Sequence, residues 1–160
     1  MFVVELRHTL GSLFDDRKTM HGGADKKTKV TGNLSLLEEL AIIQDILDEI
    51  KKEVPYFELT LVIVSYKLAG INHTNAMLDN IRHGKEKYPH LISGFDLVNE
   101  EEFTKPIAAF MPEILAAQED LDPRVKDMPC FFHAGETNKK DLHNLHDSVL
   151  LNTKRIGHGF

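Results

Sequence analysis

Along the chain, short apolar runs rich in β-branched residues alternate with longer stretches in which apolar residues recur every three or four positions. The first run, Phe2-Val3-Val4-Glu5-Leu6-Arg7, predicts a strand. The polar stretch from Asp15 to Asn33, crowded with Lys, Gly and Thr, predicts a mobile loop. Between Leu34 and Lys52, residues Leu36, Leu37, Leu40, Ile43, Ile46, Leu47 and Ile50 fall at helical spacing, and Ser35 with Glu38 makes a capping box at the start. Phe57 to Val64 is an apolar run containing Thr60, Val62 and Ile63, as suits a strand buried on both faces.

The pattern then repeats. Thr74 to Tyr88 reads as helix, Leu91 to Val98 as strand, Pro106 to Glu119 as helix with Pro106 in its first turn, and Pro129 to Ala134 as strand. Leu142 to Leu151 reads as a last helix and Arg155 to His158 as a last strand. The resulting order, βαβαβαβαβ, predicts an α/β fold with parallel strands and crossover helices packed outside. Two architectures accommodate it. A (β/α)8 barrel takes about 250 residues, so these strands would be part of one, with two parallel edges left open. A doubly wound open sheet fits the length directly, and periodicity does not choose between them. No internal boundary, repeat or low-complexity tract divides residues 1–160, which read as part of a single domain. The sequence stops at Gly159-Phe160, where a strand hands over to its loop, and the expectation is a segment cut from a longer chain.

Composition removes some classes of function. The chain has 42% hydrophobic and 28% charged residues, as an ordinary folded domain does. A net charge of −6 gives no electrostatic footprint for nucleic-acid phosphates. No run approaches the roughly 20 apolar residues of a membrane span, and the amino terminus lacks the apolar core of a secretory signal. The single cysteine, Cys130, excludes an internal disulfide and a four-cysteine zinc knot. Nine histidines make metal or acid/base chemistry worth locating.

Three constellations carry candidate chemistry. In Phe131-Phe132-His133-Ala134-Gly135-Glu136-Thr137 an apolar strand delivers a histidine, and then a carboxylate, at its carboxyl end, where α/β folds place their sites. His133 offers an imidazole to zinc and Glu136 a group to move protons; a satisfied core histidine beside a capping carboxylate fits the same letters. In Arg155-Ile156-Gly157-His158-Gly159 the two glycines leave the His158 ring unshielded, as suits a base, although a tight turn would look alike. In Gly94-Phe95-Asp96-Leu97-Val98-Asn99-Glu100-Glu101, Asp96 interrupts an apolar run and must be paired or functional. His143 and His146, with Asp141 nearby, could share a metal, but their charged setting favours a solvated helix face.

Together and in this order, Gly94-Phe95-Asp96-Leu97-Val98, His133-Ala134-Gly135-Glu136 and Asn152-Thr153-Lys154-Arg155-Ile156-Gly157-His158-Gly159 resemble the adenosine deaminase family. The phenylalanines of the first two motifs, with Val4-Glu5-Leu6-Arg7, resemble its branch of adenosine deaminase-related growth factors. The resemblance implies a zinc (β/α)8 barrel (TIM barrel), of which this chain would supply strands two to six. It implies His133 as a zinc ligand, Glu136 as the acid that protonates the purine ring, and His158 as the residue that orients and deprotonates the zinc-bound water. Asp96, Asn99 and Tyr66 fall at substrate-binding positions. The implied reaction is hydrolysis of adenosine or deoxyadenosine to the inosine product and ammonia. The zinc site of cytidine deaminases, a His-x-Glu with Pro-Cys-x-x-Cys, does not occur here.

The chain departs from the family pattern in several places. The family's other zinc ligands, a His-x-His pair and a later aspartate, lie outside it, so the isolated polypeptide is expected not to hold zinc or to turn over. Asn99 stands where the family usually has a glycine whose amide meets the purine; asparagine tolerates that backbone, but its side chain would crowd the pocket. Near Tyr66 the growth-factor branch tends to carry a histidine that meets the ribose, and tyrosine there could still hydrogen-bond. Secretion and a homodimer are implied for the intact family member. The competing expectation is a catalytically dead relative that binds a nucleoside or a receptor.

Overall fold

The computed structural model describes residues 2–11, 34–120, 128–137 and 142–160. Its elements are β1 (Phe2–His8), α1 (Leu36–Glu53), β2 (Phe57–Tyr66), α2 (Gly70–Lys87), β3 (Ile92–Val98), α3 (Met111–Asp120), β4 (His133–Ala134), α4 (Asn144–Leu150) and β5 (Gly157–His158). The loop expected between Asp15 and Asn33 falls outside the described residues, as does Asp141.

The strand and helix signals hold with shifted ends. In α1 the Ser35 side chain accepts from the Glu38 amide and the Glu38 carboxylate accepts from the Ser35 amide, completing the capping box; Lys51 and Lys52 sit in the last turn, where their charge suits the helix dipole. Helix α2 starts earlier than Thr74 because a 3-10 turn at Lys67–Ala69 leads straight into it. The stretch after Pro106 divides into a 3-10 turn, Ile107–Phe110, and α3, whose first turn holds Pro112, a residue without an amide to donate.

β1, β2 and β3 form a parallel ladder in that order, with a register shift between Leu61 and Val62. The ladder continues past β3, because the Phe95 amide donates to the Pro129 carbonyl and the Phe131 amide to the Phe95 carbonyl. The next residues turn their hydrogen bonds to the other side: Gly157 donates to Phe132 and Gly159 to Ala134, which pairs β4 with β5 in parallel. This change of partner is why the run Pro129 to Ala134 shows regular pairing only at His133–Ala134. Gly94 makes the junction possible; a Cβ there would sit 2.5 Å from the Pro129 carbonyl oxygen.

Spatial order therefore follows chain order through all the described strands. A doubly wound sheet reverses its order at a switch point, and none occurs among them. The sheet also curls. In a flat sheet four strand spacings put β1 and β5 about 19 Å apart, yet the Arg155 guanidinium, just before β5, donates to the Glu5 carboxylate on β1. The main core fills the space between sheet and helices, with Leu40 and Leu47 of α1, Ile81 of α2, Ile63 and Leu97 of the strands, and Phe95, Phe110 and Phe132 all buried.

Candidate functional site

β2, β3, β4 and β5 end at one edge of the sheet, and the residues singled out by motif gather there. Asp96, on β3, is fully buried. One of its oxygens, Oδ1, accepts from the His133 amide at 3.2 Å, and the other, Oδ2, accepts from the Arg7 guanidinium. The His133 ring brings Nδ1 to 2.8 Å from the same Oδ2, but off the line of a ring N–H, so the contact is electrostatic rather than a hydrogen bond. Arg7 also reaches the Phe131 carbonyl at 3.4 Å. A buried carboxylate thus ties β1, β3 and β4 together behind the histidine.

Nδ1 therefore faces the Asp96 carboxylate, and Nε2 lies on the other side of the ring. The ring packs closely on Gly157, where a Cβ would stand 3.0 Å from it. The fit to zinc is that of one ligand; among the described residues no group of three or more His, Cys, Asp or Glu side chains could hold a metal ion.

Beyond β4 the chain turns through Gly135, at φ 73°, and delivers Glu136 to the same edge. Its Oε1 lies 3.8 Å from His158 Nε2. His158 itself has φ 73°, and its ring centroid is 5.4 Å from that of His133. Glu136 and His158 keep 42% and 35% of their side chains exposed, so both are open to a ligand. His133, Glu136 and His158 therefore come together at one sheet edge.

The other expected positions behave differently. Asn99 adopts φ 98°, the positive φ that a glycine would take there, and its side-chain oxygen accepts from the Leu68 amide at 3.2 Å. Tyr66 ends β2 partly exposed, its ring 5.6 Å from that of His73. His73 is held by Ser65 at 2.9 Å, and burial lowers its pKa. His143 and His146 pack their rings edge to face at 6.1 Å. Cys130 is buried; desolvation, then the charge of Asp96, pushes its thiol up to about 12, which makes it a packing group. Outer depressions of about 390 Å³ beside Cys130 and about 340 Å³ between α2 and α3 are lined by none of the three converging residues.

Three charged residues, two of them inside quoted motifs, were given no role from the sequence. Arg7 shares a strand face with Glu5, a cue to an inward polar row. Lys67 follows an apolar strand and is 3% exposed. Its amine has no hydrogen-bond partner among the described residues, and its pKa is lowered by burial against the opposing pull of Glu101, Glu136 and Asp96. Glu101, 2% exposed, bonds the loop that carries Glu136. The argument applied to Asp96, that an enclosed charge needs a partner, would have flagged Lys67 as well.

No family model matches the chain. Among curated proteins, it is 35% identical over 161 residues to "Adenosine deaminase" of Lutzomyia longipalpis, covering 98% of this chain and 28% of that protein. It is 30% identical over 164 residues to "Adenosine deaminase" of Phlebotomus duboscqi, covering 98% and 27%. It is 34% identical over 126 residues to "Adenosine deaminase 2-A" of Danio rerio, covering 76% and 24%. The chain spans roughly a quarter of the length of these relatives.

Proposed function

Because the chain belongs to the adenosine deaminase family, in its growth-factor-related branch, we propose that the protein containing it hydrolyses adenosine or deoxyadenosine to the inosine product and ammonia, using zinc. The observation that carries this reading is the convergence of His133, Glu136 and His158 at one sheet edge, with Asp96 buried behind His133. The in-order, curling parallel sheet supports an incomplete (β/α)8 barrel, with this chain as strands two to six.

Each residue has a distinct task. His133 presents Nε2 as one zinc ligand, and Asp96 fixes the ring from behind instead of meeting substrate, since both its oxygens are engaged. If held there, zinc would lower the pKa of a water enough for it to lose a proton near neutral pH and become a nucleophile for the purine carbon that bears the amino group. His158 would orient the attacking water and accept its proton. Glu136, within reach of His158, gives a proton to the purine ring. Asn99 offers its backbone amide to the base, with its side chain held aside by Leu68, and Tyr66 meets the ribose. The remaining zinc ligands are supplied from outside this chain, so the isolated polypeptide is inactive.

The substrate is the free nucleoside, and the net charge of −6 disfavours nucleic acid. No described helix is long and apolar enough to cross a membrane. The full-length protein is extracellular and a homodimer, as the branch resemblance implies.

The test is an assay of the full-length, zinc-loaded protein for ammonia release from adenosine and deoxyadenosine. Turnover that a chelator abolishes and zinc restores is the expected result. Nucleoside binding with no turnover would replace this reading with that of a catalytically dead binding relative.

A further inference from the structure

Glu101 lies just past the end of β3 and belongs to none of the roles above. Its Oε1 accepts from the Gly135 amide at 3.1 Å and from Asn144 Nδ2 at 2.9 Å. Its Oε2 accepts from the amides of Glu136 at 2.8 Å and Thr137 at 3.3 Å. Three consecutive backbone donors, brought to one side by the positive φ of Gly135, form the concavity that other proteins use to bind a free anion. Here the anion is the protein's own carboxylate. Asn144 is buried and passes the restraint on, its oxygen accepting from the Ile107 amide at 2.8 Å. Burial alone would raise the Glu101 pKa, but the hydrogen bonds from Asn144 and the three amides hold it below its ordinary value. The enclosed amine of Lys67 supplies countercharge nearby.

We infer that Glu101 is a positioning residue: by clamping the amides of 135–137 it fixes the direction in which the Glu136 carboxylate enters the site. The inference rests on the reading of Glu136 as proton donor. A loop held only by its backbone ends would let that carboxylate wander by an ångström or more, a displacement that costs about a hundredfold in rate.

The experiment compares Glu101→Gln and Glu101→Asp in the full-length protein. Glutamine keeps the size but turns a donor amide toward the loop's own donors; aspartate keeps the charge opposite Lys67 but is too short to reach. Both variants are expected to lose about ten- to a hundredfold in kcat, with KM for adenosine and zinc content near the parent's, and with faster hydrogen exchange at the amides of Gly135, Glu136 and Thr137. Parent-like kcat in Glu101→Asp overturns the inference, because charge alone would then suffice. So does unchanged amide exchange in both variants. If Glu101→Gln fails to fold, Glu101→Asp decides. A parent protein without deaminase activity removes the proposed function instead, and amide exchange still judges the clamp.

Discussion

The two carboxylates carried by β3 and the segment after it, and the two groups just after β4 and at the end of β5, have opposite surroundings at one sheet edge. Asp96 and Glu101 are enclosed, and their oxygens are engaged by Arg7, His133, Asn144 and three loop amides. Glu136 and His158 are more than a third open to solvent and approach one another only to 3.8 Å. β3 can hold buried charge because it has strands on both sides and supplies the central ladder. Glu136, just after β4, and His158, the last residue of β5, are left free, as the proposed proton carriers would need to be in order to exchange partners with a ligand. Enclosed and open groups are thus carried by different strands.

The contrast is sharpest under substitution. In the full-length protein Glu136→Gln should lower kcat by about 10²- to 10⁴-fold, the usual contribution of a proton-transfer group, while leaving the thermal midpoint within a degree or two of the parent. A large drop in midpoint would mean that Glu136 belongs with the scaffold. Asp96→Ala should behave in the opposite sense, costing about 2 to 3 kcal/mol of stability by stranding Arg7 and the His133 amide, as read by denaturant unfolding. Parent-like stability would place Asp96 among the exposed, replaceable groups. The smallest effect is on pH. Glu101 titrates below its unfolded value of 4.5, so its contribution is fully present above that pH and is lost as pH falls through the folded value. His73 is lowered from 6.5 and pulls the same way, because its buried ring must charge on acidification. Denaturant melts descending from neutral pH should therefore show stability falling below about pH 6.5 and more steeply below about 4.5. Flat or rising stability would contradict both.

Much of this was legible in the sequence, for identifiable reasons. Helix α1 announces itself because its apolar spacing and capping box act locally. β2 and β3 are visible because strands buried on both faces become continuous apolar runs. The glycines around His158 and after His133 marked sharp turns at strand ends but left a turn or a cap equally open, and it was the joint resemblance of the motifs to one family that pointed to a shared site. Strand order was not legible, since it depends on which edges meet, as at Phe95 and Cys130. Nor was the clamp: Glu101 in Asn-Glu-Glu looks like any solvated acid until the amides it accepts from, thirty-four to thirty-six residues later, are brought beside it.

The ion pair between Glu5 and Arg155 joins residues 150 positions apart. The entropy of closing so long a loop grows only slowly with its length, but contacts between distant positions are among the last to form and the slowest to find. On a ribosome, β1 would leave the exit tunnel long before Arg155 was synthesised. Within residues 1–160, the partner of Glu5 is therefore among the last parts of the chain to be made.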